Sequence, residues 1–184
     1  RINDQWGIGM GSSAGIVTLY SRRAIDIDGL QNSRGSVRFS GQGTALGLNL
    51  GLFYKPDPNL SFGLNIRTPM PVSISEGQTT FEVPLSRAEE YLPRPFSTSF
   101  TLPGEINLGL GYYAEERLLL TFDLNLIFWQ SWDSLKFDLM PDIAELTSYP
   151  ERNWQNTSHL RGGFEYALTD KVSLRGGAFY EQSP

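Results

Sequence analysis

Between Gly43 and Arg67, apolar residues alternate with small or polar ones almost without interruption. Leu46, Leu48, Leu50, Leu52 and Tyr54, then Phe62, Leu64 and Ile66, hold the even positions, with Gly47, Asn49, Gly51, Gly63, Asn65 and Arg67 between them. A period of two places alternate side chains on opposite faces of a strand, so this stretch reads as two strands joined by a tight turn over residues 56–59. The solvent face of a soluble sheet carries Lys, Glu and Thr. Here the second face is Gly and Asn, which suits a crowded or wet interior.

The same grammar recurs from Trp6 to Gly11, Ile106 to Tyr112, Leu118 to Phe128, His159 to Tyr166 and Val172 to Tyr180. We expect about seven strands, many near the roughly 9–11 residues that a tilted strand needs to cross a hydrocarbon layer. Their connections alternate in length: long over residues 26–42, 69–104 and 140–156, short over 55–59, 114–117 and 169–171. Loops of about 15–35 residues at every second connection are unusual against a median near 4–6. Short turns at one end and long loops at the other are the signature of a membrane-spanning barrel.

Aromatic residues agree with this reading, because Trp and Tyr favour an interface where one end of the ring is apolar and the other wet. Trp6, Tyr54, Tyr112 and Tyr166 sit in the apolar phase at the short-turn ends of their strands, and Tyr20, Trp129, Trp132 and Tyr180 at the opposite ends. No run approaches the roughly 18 apolar residues of a membrane helix, but a barrel exposes only every second residue to lipid. Cysteine is absent, which removes disulfides and thiolate chemistry. A net charge of −5 without a Lys/Arg cluster argues against nucleic acid as a partner.

The fold class expected is all-β: an antiparallel up-and-down transmembrane β-barrel segment, with residues 1–184 forming one partial outer-membrane barrel. The sequence opens at Arg1 without an initiator Met or an export signal. An open sheet edge in lipid leaves backbone groups unpaired at several kcal/mol each, and bacterial barrels have even strand numbers. The chain is therefore expected to be an internal segment of a longer protein.

Several stretches carry a family resemblance. The hairpin from Thr44 to Pro69, the Leu102-Pro-Gly-Glu-Ile-Asn-Leu-Gly-Leu segment, Trp129-Gln-Ser-Trp132, and the late hairpin from Asn153 through Val172-Ser-Leu-Arg-Gly-Gly-Ala-Phe-Tyr-Glu-Gln-Ser-Pro184 resemble the FadL/TodX family, in order. That family comprises outer-membrane transporters of long-chain fatty acids and aromatic hydrocarbons. The resemblance implies a fourteen-stranded barrel plugged by an N-terminal hatch, taking hydrophobic substrates from outside and releasing them sideways into the membrane. The hatch, the closing strands and the strand with the lateral opening are expected to lie outside this segment. The implied location is the bacterial outer membrane, with a hydrophobic small molecule and membrane lipid as partners, a monomeric state and no cofactor.

A fatty-acid carboxylate in a low-dielectric lumen needs a cation or several donors. Strand phase offers Arg67, Arg161 and Arg175 as inward basic residues, and Arg22 joins them on the resemblance alone, at the end of a Tyr-x-Arg strand. The alternative for all four is a structural ion pair with an inward acid such as Glu105, Asp123, Glu165 or Glu181. The segment 69–104 is rich in apolar residues for a loop, and residues 85–92 could form a short amphipathic helix. In the family, loops here form an exterior groove that captures substrate first, which nominates Leu85, Tyr91, Leu92 and Phe96. The alternative is that they merely cover the barrel mouth.

Catalysis is not expected. His159 is the sole histidine, and its neighbour Ser158 must point to the opposite face of a strand, so the two cannot act as base and nucleophile. One histidine and no cysteine make a transition-metal site improbable, and no loop has calcium-motif spacing. Two other functions fit parts of the pattern. A general diffusion porin would carry opposed charged rows at a constriction, and a soluble lipocalin-like carrier would turn its apolar phase inward.

Overall fold

The computed structural model describes residues 2–27, 34–132, 135–139 and 153–184. Ten strands form one antiparallel sheet: β1 (Trp6–Asp26), β2 (Arg34–Asp57), β3 (Leu60–Arg67), β4 (Met70–Glu82), β5 (Pro95–Leu102), β6 (Glu105–Glu115), β7 (Leu118–Ile127), β8 (Lys136–Leu139), β9 (Thr157–Thr169) and β10 (Val172–Glu181). The order across the sheet is β10-β9-β7-β6-β3-β2-β4-β5-β8, with β1 on the other side of β2.

Register reduces these ten strands to the seven expected. Strand β2 pairs with β3 along its second half and with β4 along its first, so β3 and β4 are one path up the wall with a break at Thr68 and Pro69. In the same way β5 and β6 form one path broken at Pro103 and Gly104, and β7 continues into β8, which pairs with β5. With β1, β2, β9 and β10 this makes seven wall segments, in an up-and-down arrangement. The breaks lie at one height: Gly104 packs so closely that an added Cβ would stand 2.9 Å from the Arg67 carbonyl oxygen and the Pro69 Cδ. The Phe128 N–H donates to the Gly104 carbonyl at 3.0 Å. Proline, having no N–H, interrupts the ladder on each of the first two paths.

Two of the long connections expected from sequence are largely strand. The β1–β2 ladder continues to the Asp26–Arg34 pair, so most of the 26–42 stretch is paired. Residues 69–104 are a hairpin of β4 and β5 rather than a loop, and their tip holds one 3₁₀ turn, Leu85–Arg87, where the sequence suggested an amphipathic helix. The reason is a change of phase. Along β1 and β2 the apolar positions are even from Trp6 to Ile16 and from Leu46 to Tyr54, but odd at Val17, Leu19 and Ile25 and at Val37 and Phe39. The sheet continues past this point while its buried face switches sides. Most of the 140–156 connection lies outside the described residues.

Above the breaks, β1, β2, β4, β5 and β8 curl into a tight roll. The rings of Phe39 on β2 and Phe137 on β8 stack at 4.3 Å although β4 and β5 lie between those strands in the sheet. Phe96 meets both rings edge-on, at 5.4 and 5.3 Å, and the Arg23 guanidinium of β1 lies 5.8 Å from the Phe137 centroid. Val37, Phe39, Ile74, Phe96 and Phe137 are almost wholly excluded from solvent. Each such side chain contributes about 1.5–3 kcal/mol by burial, so the roll carries its own hydrophobic core.

Candidate functional site in the barrel lumen and the roll

Below the breaks the sheet has two unlike faces. The even residues form apolar rungs in register, such as Ile8–Leu52–Leu64–Leu108–Leu124–Leu160, and most are exposed. Trp6 stacks on Tyr54 at 4.0 Å, with Phe62 next in line at 6.3 Å, at the short-turn end. The odd residues line the concave side. There Gly9, Gly51, Asn65, Asn107, Asn125, His159 and Glu181 form one rung across seven wall segments. A hollow of about 530 Å³ lies on this face, floored by Gly7, Gly9, Gly51, Gly63 and Gly109 and edged by Phe53, Asn65, Asn107 and Asp123. A Cβ at Gly9 or Gly63 would meet nothing within 4 Å, so glycine here keeps the wall low.

Arg67, Arg161 and Arg175 all lie on the concave face, as their phase predicts, and each is held by a carboxylate. Arg67 Nη2 lies 3.1 Å from Glu105 Oε1 on the adjacent strand. Arg161 Nη2 donates to Glu181 Oε1 at 2.9 Å, and His159 Nδ1 stands 3.8 Å from the same oxygen. Arg175 engages Glu165 through two hydrogen bonds, of 2.8 and 3.2 Å. Three of the four acids named from sequence as the alternative partners are thus the partners found. Arg22 is placed differently. It lies at an even position and donates to Ser36 Oγ and to Glu82, whose carboxylate also takes Arg38 at 3.0 Å. Arg22 therefore faces outward on the roll, away from the lumen, and this geometry gives no support to a head-group role there.

The four nominated capture residues separate as well. Leu85 is 95% exposed and Leu92 59%, both at the hairpin tip. Tyr91 is half-buried against Phe81, with ring centroids 5.6 Å apart. Phe96 is 2% exposed, sealed inside the roll, and cannot receive a ligand in this arrangement. Sequence reasoning missed the base of the roll, where Trp129, Trp132 and Trp154 gather with centroid separations of 5.1–6.3 Å and Trp132 stacks on Phe100 at 5.1 Å. Trp129 and Trp132 are half-buried in this cluster rather than standing exposed like Tyr20 and Tyr180. Ser158 binds Gln182 Oε1 at 2.9 Å, while His159 turns to Glu181, so the two are not brought together. Among the described residues, no group of three His, Cys, Asp or Glu side chains could hold a metal ion, and no helix is long and apolar enough to cross a membrane.

Comparison with known proteins fixes the family. The whole segment 1–184 matches the family model described as outer membrane protein transport protein (OMPP1/FadL/TodX). The chain belongs to the FadL/TodX family. Its sheet superposes on a FadL homologue from Pseudomonas aeruginosa with a TM-score of 0.81 at 18% identity, covering 100% of this chain and 48% of that one. It is also similar to the Pseudomonas putida toluene transporter TodX (TM-score 0.70, 17% identity, 99% of this chain and 52% of that one). A third likeness is to the CymD monoaromatic hydrocarbon channel (TM-score 0.72, 14% identity, 99% and 56%). No curated protein matches in sequence. This FadL/TodX chain thus spans about half the length of the solved relatives, and the likeness establishes the barrel fold. Members of the family are outer-membrane proteins, which agrees with the apolar outer face described above.

Proposed function

We propose that the complete barrel takes up hydrophobic compounds, such as long-chain fatty acids, across the outer membrane. The observation that carries this reading is the lumen wall: Arg67, Arg161 and Arg175 are each matched by a neighbouring glutamate, Asp123 is the one further carboxylate at the hollow, and the floor is otherwise glycine, asparagine and Phe53. A porin selects and steers ions with unbalanced, opposed charge rows, which this wall does not present among its described residues. A lipocalin-like carrier needs apolar side chains on the concave face, whereas here they lie on the convex one. Binding of the carried compound is driven by burial of its apolar surface at about 25 cal/mol per Å².

Within the hydrophobic class, one observation favours a second reading. A fatty-acid carboxylate must compete with Glu105 for Arg67, while a neutral aromatic hydrocarbon needs no charged partner. The test is equilibrium binding to the full-length protein in detergent, comparing a long-chain fatty acid, toluene and a hydrophilic sugar. Saturable fatty-acid binding that weakens about tenfold in Arg67→Ala, the scale of one charge-assisted contact, supports the fatty-acid reading. Toluene binding that is indifferent to Arg67 points to neutral hydrocarbons. Ion conductance with no apolar binding overturns the proposal.

A further inference from the structure

We infer that the lumen hollow seats a single aromatic ring bearing a hydrogen-bond donor, a phenol or an aromatic alcohol, with the Asp123 carboxylate accepting from that donor. The inference rests on the uptake reading above and assigns the hollow a preference within the hydrophobic class. One in-register rung runs through the hollow: Phe53, Gly63, Gly109, Asp123 and Arg161 stand opposite one another on β2, β3, β6, β7 and β9. All five are odd-numbered and lie on the concave face, so Phe53 and Asp123 close the two ends of a trough floored by two glycines. Three strand spacings of about 4.8 Å set these ends about 14 Å apart along the wall. Less the thickness of the two side chains, that is the length of a benzene ring with one or two substituents. One rung nearer the breaks, Asn65 and Asn107 form the side of the trough. One rung nearer the short turns, Ser61 forms the other, its hydroxyl donating to the Gly111 carbonyl at 3.3 Å.

Asp123 is the only charged residue among those that line the hollow. Its register neighbour Arg161 is taken by Glu181 at 2.9 Å. Among the described residues, no hydrogen bond or ion pair engages the Asp123 carboxylate. It leans instead over Gly109, where an added Cβ would stand 3.1 Å from Asp123 Oδ1. Glycine at 109 thus lets the acid lie in the trough. At Gly63 an added Cβ would meet nothing within 4 Å, so the middle of the floor is bare backbone on which a flat ring can rest. At the far end the Phe53 ring is 48% exposed and offers it an apolar edge. A ring O–H ending at Asp123 makes a charge-assisted hydrogen bond. A plain hydrocarbon fills the same trough and leaves that acceptor unused. A fatty-acid carboxylate brings like charge against Asp123, so its head belongs at Arg67, two rungs nearer the breaks, and not in this trough.

The test is equilibrium binding to the full-length protein in detergent of three ligands of nearly one shape: toluene, p-cresol, which adds a donor, and 4-methylanisole, which adds the same oxygen without a donor. A hydrogen bond to a charged acceptor makes p-cresol bind about tenfold more tightly than the other two. In Asp123→Ala that ratio should fall to about one. Gly63→Leu puts a side chain into the open middle of the trough and should weaken toluene and p-cresol together, a readout of place that does not depend on the acid. Folding of each variant is checked by its heat-dependent gel mobility. Three results overturn the inference: toluene bound as tightly as p-cresol by wild type, a p-cresol preference that survives in folded Asp123→Ala, or both ligands bound by folded Gly63→Leu as by wild type. Each of these leaves the uptake reading standing. If none of the three ligands binds and a long-chain fatty acid does not bind either, both fall together.

Discussion

At the scale of single residues, the tightest fit among the described glycines is Gly77 against Phe96. A Cβ at Gly77 would fall on the ring carbons of Phe96, closer than real contacts allow, so only glycine lets β4 pass over that ring. Phe96→Ala removes a fully buried ring and is expected to cost about 3–5 kcal/mol. The loss belongs to the roll and not the barrel, so limited trypsin digestion should cut faster at Arg87 and Arg94 while the heat-dependent gel mobility of the barrel is unchanged. The inward arginines make a second case. Glu105 has a side chain only 19% exposed, and Arg67 lies across the strand from it at 3.1 Å. Arg67→Ala strands that acid in a partly dry setting, and adding Glu105→Gln should recover stability, with a coupling energy of about 1 kcal/mol in a double-mutant cycle by urea unfolding. Alternation made the inward direction of Arg67, Arg161 and Arg175 legible in the sequence. It could not reveal their partners, because register between strands is fixed by turns and jogs that the sequence does not spell out.

At the scale of elements, the decisive structure is the β4–β5 hairpin. Its sequence alternates only briefly before Ser75 and Glu76 bulge out of register with β5, and that interruption, with Pro84, Pro93 and Pro95 nearby, made it read as a loop. A signal was nevertheless present: Val17 and Leu19 on β1, and Val37 and Phe39 on β2, which pairs with β4, break the even-position rule and mark a second buried face on the opposite side. At the tip, exposure separates capture from support. Leu85 and Leu92 are both exposed, so Leu85→Ser/Leu92→Ser should change stability by no more than about 0.5 kcal/mol. If the tip makes first contact with hydrophobic ligand, the same variant slows uptake by intact cells while equilibrium binding in the lumen is unaltered. Uptake equal to wild type would leave the tip a mere cover.

At the scale of the whole molecule, everything rests on which face meets lipid and where that face ends. From Trp6 to Ile16 the outer residues of β1 are apolar apart from Ser12, and at about 3.3 Å per residue with a tilt near 45° this run covers about 23 Å of height. That matches the apolar band of about 25 Å expected of outer-membrane barrels. Beyond it the same face carries Thr18, Tyr20 and Arg22, and the apolar residues move inside to form the roll. The parity switch is thus a ruler for the membrane boundary, and it can be read by placing one charge at two heights. Leu50→Arg, near mid-band on β2 and opposite Met10, should cost about 2–4 kcal/mol, and Thr18→Arg, one rung above Ile16, about 0–1 kcal/mol. The measurement is reversible unfolding of the full-length protein from phospholipid vesicles. Equal costs at the two positions would mean that the boundary does not lie at the Ile16–Thr44 rung. The roll would then sit within the membrane.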